Sequence, residues 1–139
     1  MKREAFFDRD ASHYYCEDGK AVGAYCREQF PEDVAQTLAV ADGVCRKYFL
    51  FNSKWDLEQT DEPVQFDGAI DWTYMPADDP EFVWQFNRHR FFMTLGQAYQ
   101  MTGDEKYARA FMEIVEDWID HVPLNEKYAA GPWRSLDTG

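Results

Sequence analysis

Positive charge is scarce in this chain: 14 lysines and arginines stand against 26 aspartates and glutamates, for a formal net charge of −12. A general nucleic-acid face or a polybasic membrane contact needs a cationic surface over much of the molecule, so neither is expected, and an acidic partner has to be held by a local patch. Cysteine is scarce too. Cys16, Cys26 and Cys45 are odd in number and lack CxxC spacing, which argues against a disulfide framework or a zinc ribbon and predicts free, mostly buried thiols. The three histidines, His13, His89 and His121, show no HxxxH or ExxH spacing, so no metal site is predicted. Glycine-rich phosphate loops and a GxSxG elbow are missing, and no cofactor is expected. No apolar run approaches the length of a membrane span, and "MKREAFFDRD" contains no continuous apolar h-region. The expectation is a chain that is not exported, or one whose export signal lies outside this sequence.

What is abundant is apolar and aromatic. At 45% hydrophobic and 17% aromatic over 139 residues, the chain is too apolar for a disordered segment and long enough to bury a core of one domain's size. The first thirty residues are interrupted by Gly19 and Gly23 and predict one or two short helices. From Pro31 the pattern sharpens. Pro31 suits a first helical position, Glu32 and Asp33 fall in the first turn and Arg46 and Lys47 near the end, which matches the helix dipole over residues 31–50. Val34, Leu38, Ala41, Cys45, Tyr48 and Phe49 then share one face.

Residues 51–80 are rich in Asp, Pro and turn formers and carry no helical period, apart from a short extended run near Val64 to Phe66. So long a connection commonly serves binding. Two further helices are predicted. The first runs over residues 80–101 with Asp79 as N-cap; the second runs over 104–122 with Tyr107, Ala108, Phe111, Val115, Trp118, Ile119 and Val122 along one stripe. The "TGD" junction between them leaves room only for an antiparallel return, with Gly103 in the left-handed C′ position and Asp104 as the next N-cap. The tail ends at "WRSLDTG" with Trp133 and Leu136 unexplained by any following helix, so a fragment of a longer protein is expected.

Within the predicted helix of 80–101 lies "WQFNRHRFF", a small cationic island in an acidic chain. No acid occurs from Phe82 to Gly103, so Arg88 and Arg90 have almost no neutralising partner on their own helix. One reading pairs them with acids on other elements, such as Asp71, Asp78 or Asp117, and packs His89 in the core. The other lets Asn87, Arg88, His89 or Arg90 face a cleft and hold a carboxylate or sulfate, with Trp72, Tyr74 and Trp84 stacking on sugar rings. The planar fork of arginine suits such bidentate recognition.

"DW" at Asp71–Trp72, then "WQFNRHRFFMTLGQAYQMTGDEKYARAFMEIVEDWIDHVP", then "WRSLDTG" resemble the N-terminal region of the heparinase II/III-like polysaccharide lyases. The match covers residues 70–139 and rests on the N-R-H tripeptide, the A-Y-x-x-T-G-D-E-K-Y-A turn and the W-R-x-L-x-x-G ending in the family's order. The resemblance implies an all-α fold, the N-terminal helical portion of an incomplete α/α toroid, followed in the whole protein by the rest of the toroid and an antiparallel β-sandwich. It implies a bacterial protein, often periplasmic or secreted, acting on an acidic polysaccharide or oligosaccharide by β-elimination at a uronic acid.

In that family the reactive groups are an Asn or His, a Tyr and a His on later helices and the sandwich. No catalytic residue is therefore expected before Gly139, and the 139-residue chain alone is expected to be inactive. The N-R-H pattern falls on Asn87, Arg88 and His89, and the W-R pattern on Trp133 and Arg134. With Arg90 and Trp72 these are the candidate substrate-binding residues. The turn alone also resembles a tetratricopeptide-type interaction module, but the chain has no second copy of that hairpin. A non-catalytic glycan-binding or structural helical domain is the remaining alternative.

Overall fold

A computed structural model describes residues 18–52, 60 and 62–134. The expectations for His13 and Cys16, for part of the 51–80 connection and for the segment after Arg134 lie outside the described residues. The helices are α1 (Gly19–Gln29), α2 (Pro31–Cys45), α3 (Pro80–Asn87), α4 (Phe91–Thr102) and α5 (Glu105–His121). Two short strands, β1 (Tyr48–Phe49) and β2 (Val64–Gln65), pair antiparallel with Phe49 opposite Val64. No helix among the described residues is long and apolar enough to cross a membrane.

The helix starts follow from their sequences. Asp18, Asp79 and Asp104 each accept a backbone N–H of the first turn through the side chain, and Pro31 and Pro80 stand where a missing N–H costs nothing. Gly103 takes φ +70° and its N–H reaches Tyr99 O, which closes α4 and turns the chain back into α5 as the "TGD" signature predicts.

Two predicted helices are shorter than their periodicity suggests. α2 stops at Cys45, where Lys47 adopts φ +56° and the chain turns into β1. The aromatic pair Tyr48–Phe49 continues the helical spacing, but Phe49 is drawn into contact with Phe66, Phe86 and Phe91 and so becomes strand. The helix expected over 80–101 is broken in two at His89, which has φ +51°. Along α5 the inner face consists of Tyr107, Ala110 and Ile114, one position round from the predicted stripe, and leaves Phe111 and Ile119 exposed.

α4 is the hub, packing against α1, α2 and α5. Beside it Phe86, with no exposed surface, stacks on Trp72 at 4.9 Å and meets Phe49 edge-on at 5.0 Å. Burying one such side chain contributes about 2 to 3 kcal/mol, and well-oriented ring pairs add to it. α2 is tied to α5 at the surface: Lys106 Nζ lies 2.9 Å from Asp42 Oδ1, and the Tyr107 hydroxyl donates to the same oxygen at 3.0 Å. The hydrogen bond from Lys106 holds the Asp42 carboxyl below the usual carboxylate range.

Helix proximity is set by glycine in one place. A Cβ at Gly23 would come 2.5 Å from the backbone oxygen of Gln100, so α1 and α4 touch there backbone to backbone. Gly96, on α4, has nothing within 4 Å of the same position. Replacing Gly23 by Ala is therefore expected to separate the helices and lower stability, whereas Gly96→Ala raises it by about 0.5 to 1 kcal/mol. Urea unfolding of both variants reads the two signs, and equal effects would contradict the packing described.

Candidate functional site

The N-R-H tripeptide forms the joint between α3 and α4. Arg88 N–H bonds back to Trp84 O and Gln85 O, and His89 N–H to Phe86 O, so α3 ends in a left-handed cap with histidine where glycine is usual. The imidazole shows why the strain is tolerated. It stacks on Phe92 at 5.1 Å and meets Trp118, Trp72 and Phe91 edge-on at 5.1, 5.5 and 5.7 Å. Nε2 is buried and has no hydrogen-bond partner among the described residues. Burial pushes the imidazole pKa down to about 4, so His89 is neutral at pH 7 and packs as an aromatic ring.

Asn87, 1% exposed, uses its whole amide. Nδ2 donates to Trp72 O at 2.9 Å and to Val83 O at 2.8 Å, and Oδ1 accepts from Trp118 Nε1 at 2.8 Å. Trp72 is 2% exposed, lies against Phe86, and donates from Nε1 to Asp117 Oδ2 at 2.8 Å. In this chain, then, neither Asn87 nor Trp72 presents a surface to a sugar. Trp133 donates to Val122 O and packs on Trp118 at 4.5 Å. The Arg134 guanidinium lies 3.7 Å from the centre of the Trp84 ring, whose Nε1 donates to Ala130 O. Arg88 donates from Nη1 to Gln85 Oε1 at 3.3 Å.

Arg90 is placed differently from the other six candidates. It precedes α4 and lines a groove of about 930 Å³ between α2 and α4. The floor includes Val44, Phe49, Phe51 and Phe91, all buried. Sequence reasoning named Arg90 but missed its polar companions on the walls, Gln36, Thr37, Thr94 and Gln97, with Asn52 beside them. A signal for them exists in retrospect. Positions 33, 36, 37 and 40 on α2 repeat the spacing of positions 90, 93, 94 and 97 at the start of α4, as two facing helix stripes should. No group of three or more His, Cys, Asp or Glu able to hold a metal ion occurs among the described residues. Cys26 and Cys45 are free and half-buried, and burial raises the Cys45 thiol pKa.

The family model described as the heparinase II/III N-terminus matches residues 10–139. Over 87 residues, 60% of the chain, the sequence is 36% identical to a heparin-sulfate lyase of Bacteroides thetaiotaomicron, and over 55 residues, 40% of the chain, 47% identical to a heparin-sulfate lyase of Bacteroides stercoris. The chain spans 12% and 8% of the length of these two relatives. Among solved structures it resembles a heparan sulfate lyase from Pedobacter heparinus, with a TM-score of 0.61 and 26% identity, over 91% of this chain and 22% of that one. A mutant of that enzyme aligns over 99% of this chain and 26% of its own, with a TM-score of 0.60.

Two outcomes follow from the joint. Asn87→Asp would aim a carboxylate at two carbonyl oxygens inside the core, and a loss of about 3 kcal/mol or more is expected in urea unfolding at pH 7. For His89 the unfolded chain takes up a proton near pH 6.5, but the folded chain only near 4. Between those values the unfolded state binds more protons, so stability falls as pH is lowered from about 6.5 towards 4 and this contribution levels off below, for a total of about 3 kcal/mol. His89→Asn, which tolerates the positive φ, should remove that part of the slope. Unfolding curves of both proteins from pH 7 to 4 test it, and parallel slopes would refute the assignment.

Proposed function

The chain belongs to the heparinase II/III N-terminal family, and we propose that it forms the opening helical part of a polysaccharide lyase that cleaves uronic-acid-containing glycans by β-elimination. The observation that carries this reading is the match of the family model across residues 10–139, supported by relatives whose names make them heparin-sulfate lyases. Those names point to an acidic glycosaminoglycan as the substrate class. In this reading α3, α4 and α5, joined by short returns, begin an incomplete α/α toroid, and 1–139 is a helical domain preceding the catalytic part.

The chemistry makes three demands. The uronate carboxylate must be neutralised to acidify the C5 proton, a base must remove that proton, and an acid must protonate the departing 4-oxygen. The electron pair left on C5 forms the C4–C5 double bond as the C4–O bond breaks, and the departing oxygen takes the proton from the acid. The candidates here do not offer such a set: Asn87 has committed its amide and His89 is sealed among rings. On this reading the reactive groups belong to segments of the whole lyase outside these 139 residues, and this chain supplies framework and glycan contact. Of the seven candidates, Arg90 is assigned to the glycan, and Asn87, His89, Trp72 and Trp133 to the framework. Arg88, bonded to Gln85, and Arg134, over the Trp84 ring, are assigned to the framework as well.

The native polypeptide carrying this sequence, incubated with heparan sulfate, other glycosaminoglycans and alginate, is expected to raise the ultraviolet absorbance of unsaturated uronate on at least one of them. The 139-residue chain alone is expected to raise it on none. Silence of the native polypeptide on every glycan overturns the reading.

A further inference from the structure

Residues 66–87 form an arm set apart from the body of the fold. Among the described residues α1, α2, α4 and α5 pack closely on one another, and α3 approaches none of them as closely. Lys106 and Tyr107 of α5 are tied to Asp42 of α2 without any residue of the arm. Much of the arm's own apolar surface is internal to it: Trp72 stacks on Phe86 at 4.9 Å, Phe66 stacks on Phe86 at 6.0 Å and Tyr74 meets Phe82 edge-on at 5.8 Å. A segment that carries part of its own core can open as a unit at less than the cost of global unfolding. We propose that His89 is an acid-sensitive latch on this arm: protonation of the imidazole favours a state in which residues 66–87 swing away from α5 while α1, α2, α4 and α5 stay packed. The inference is independent of the lyase reading, since it concerns only the joint inside this chain.

The latch is built from two indole bonds and one ring. Trp118 Nε1 on α5 donates to Asn87 Oδ1 at the end of the arm, and Trp72 Nε1 in the arm donates to Asp117 Oδ2 on α5, both at 2.8 Å. The His89 ring meets Trp72 of the arm and Trp118 of α5 edge-on at 5.5 and 5.1 Å, so it touches both sides of the contact. Its backbone, at φ +51°, is the hinge. An imidazolium has two N–H groups to satisfy, and Nε2 is buried with no hydrogen-bond partner among the described residues. The charged ring therefore gains an acceptor at that nitrogen by leaving the cage for water.

The surroundings of the ring set the sign. Arg88 and Arg90 flank it in the chain, Asp71 precedes Trp72, and Asp117, with His121 3.4 Å away, precedes Trp118. Asp117 is committed to the Trp72 indole, and burial is what lowers the proton affinity of the imidazole. In the closed state the ring takes up a proton only near pH 4; with the arm open it does so near 6.5. Between those values the open state binds more protons, so the closed state loses ground as pH falls.

The test is native-state hydrogen exchange of the 139-residue chain by nuclear magnetic resonance between pH 7 and 5, corrected for the intrinsic exchange rate at each pH. The indole N–H groups of Trp72 and Trp118 report the arm, and the backbone amides of Leu95 and Ala98, buried in α4, report the body. The indoles should exchange through an opening about tenfold or more frequent than that of the α4 amides, with a weaker dependence on added urea. Their opening constant should rise about 20-fold from pH 7 to 5. His89→Asn should flatten that rise, and His121→Gln should leave it in place. Indoles and α4 amides exchanging through one common opening, an indole opening constant independent of pH, or a rise that persists in His89→Asn or vanishes in His121→Gln overturns the proposal. Should His89→Asn fail to fold, the wild-type profiles and His121→Gln still decide.

Discussion

The carboxamide of Asn87 is the constraint on which the rest of the structure depends. One side chain joins the carbonyl of Trp72 in the connection, the carbonyl of Val83 on α3 and the indole of Trp118 on α5. The Trp72 carbonyl lies 15 residues from Asn87 along the chain and the Trp118 indole 31, and the buried amide ties both by satisfying two donors and an acceptor at once. An apolar residue of the same size would fill the space but leave the Trp72 carbonyl and the Trp118 indole without partners in a region closed to water. Hydrophobic burial supplies most of the energy of this core; the amide decides which elements share it.

From that clamp follows the break in the helix. With Asn87 held inward, the chain must change direction at once or carry Arg88 and Arg90 into the same core. The left-handed backbone at His89 makes the change, and the ring's contacts with four aromatic neighbours offset the steric cost that an L-residue incurs there. The neutral state of the imidazole belongs to the same arrangement, because a proton would place a charge among those rings, where burial penalises it.

Legibility in the sequence divides along this line. Helix caps were readable because they are local: Asp79, Asp104, Pro31, Pro80 and Gly103 act within a turn of where they stand. The short strand near Val64 was readable for the same reason. The break at His89 was not, since no glycine or proline marks it and its cause is Trp118, almost thirty residues away. Tyr48–Phe49 continued a helical period and was drawn into strand by Phe66, Phe86 and Phe91, again a tertiary override. Among the candidate site residues, type and motif did not separate side chains bonded into the core, such as Asn87 and Trp72, from Arg90, which lines the groove.

A small cationic island in an acidic chain then has a physical explanation. On an unbroken helix Asn87 and Arg90, three residues apart, would lie on neighbouring faces and share one environment. Turning the backbone at His89 separates them: the groove beside Arg90 is lined by neither Asn87 nor His89. The tripeptide and the arginine after it thus place a fully bonded amide and a neutral ring inside, and a guanidinium beside an open apolar floor. Such an arrangement sets one guanidinium of a protein with a net charge of −12 beside that floor, with its backbone direction fixed by the joint behind it.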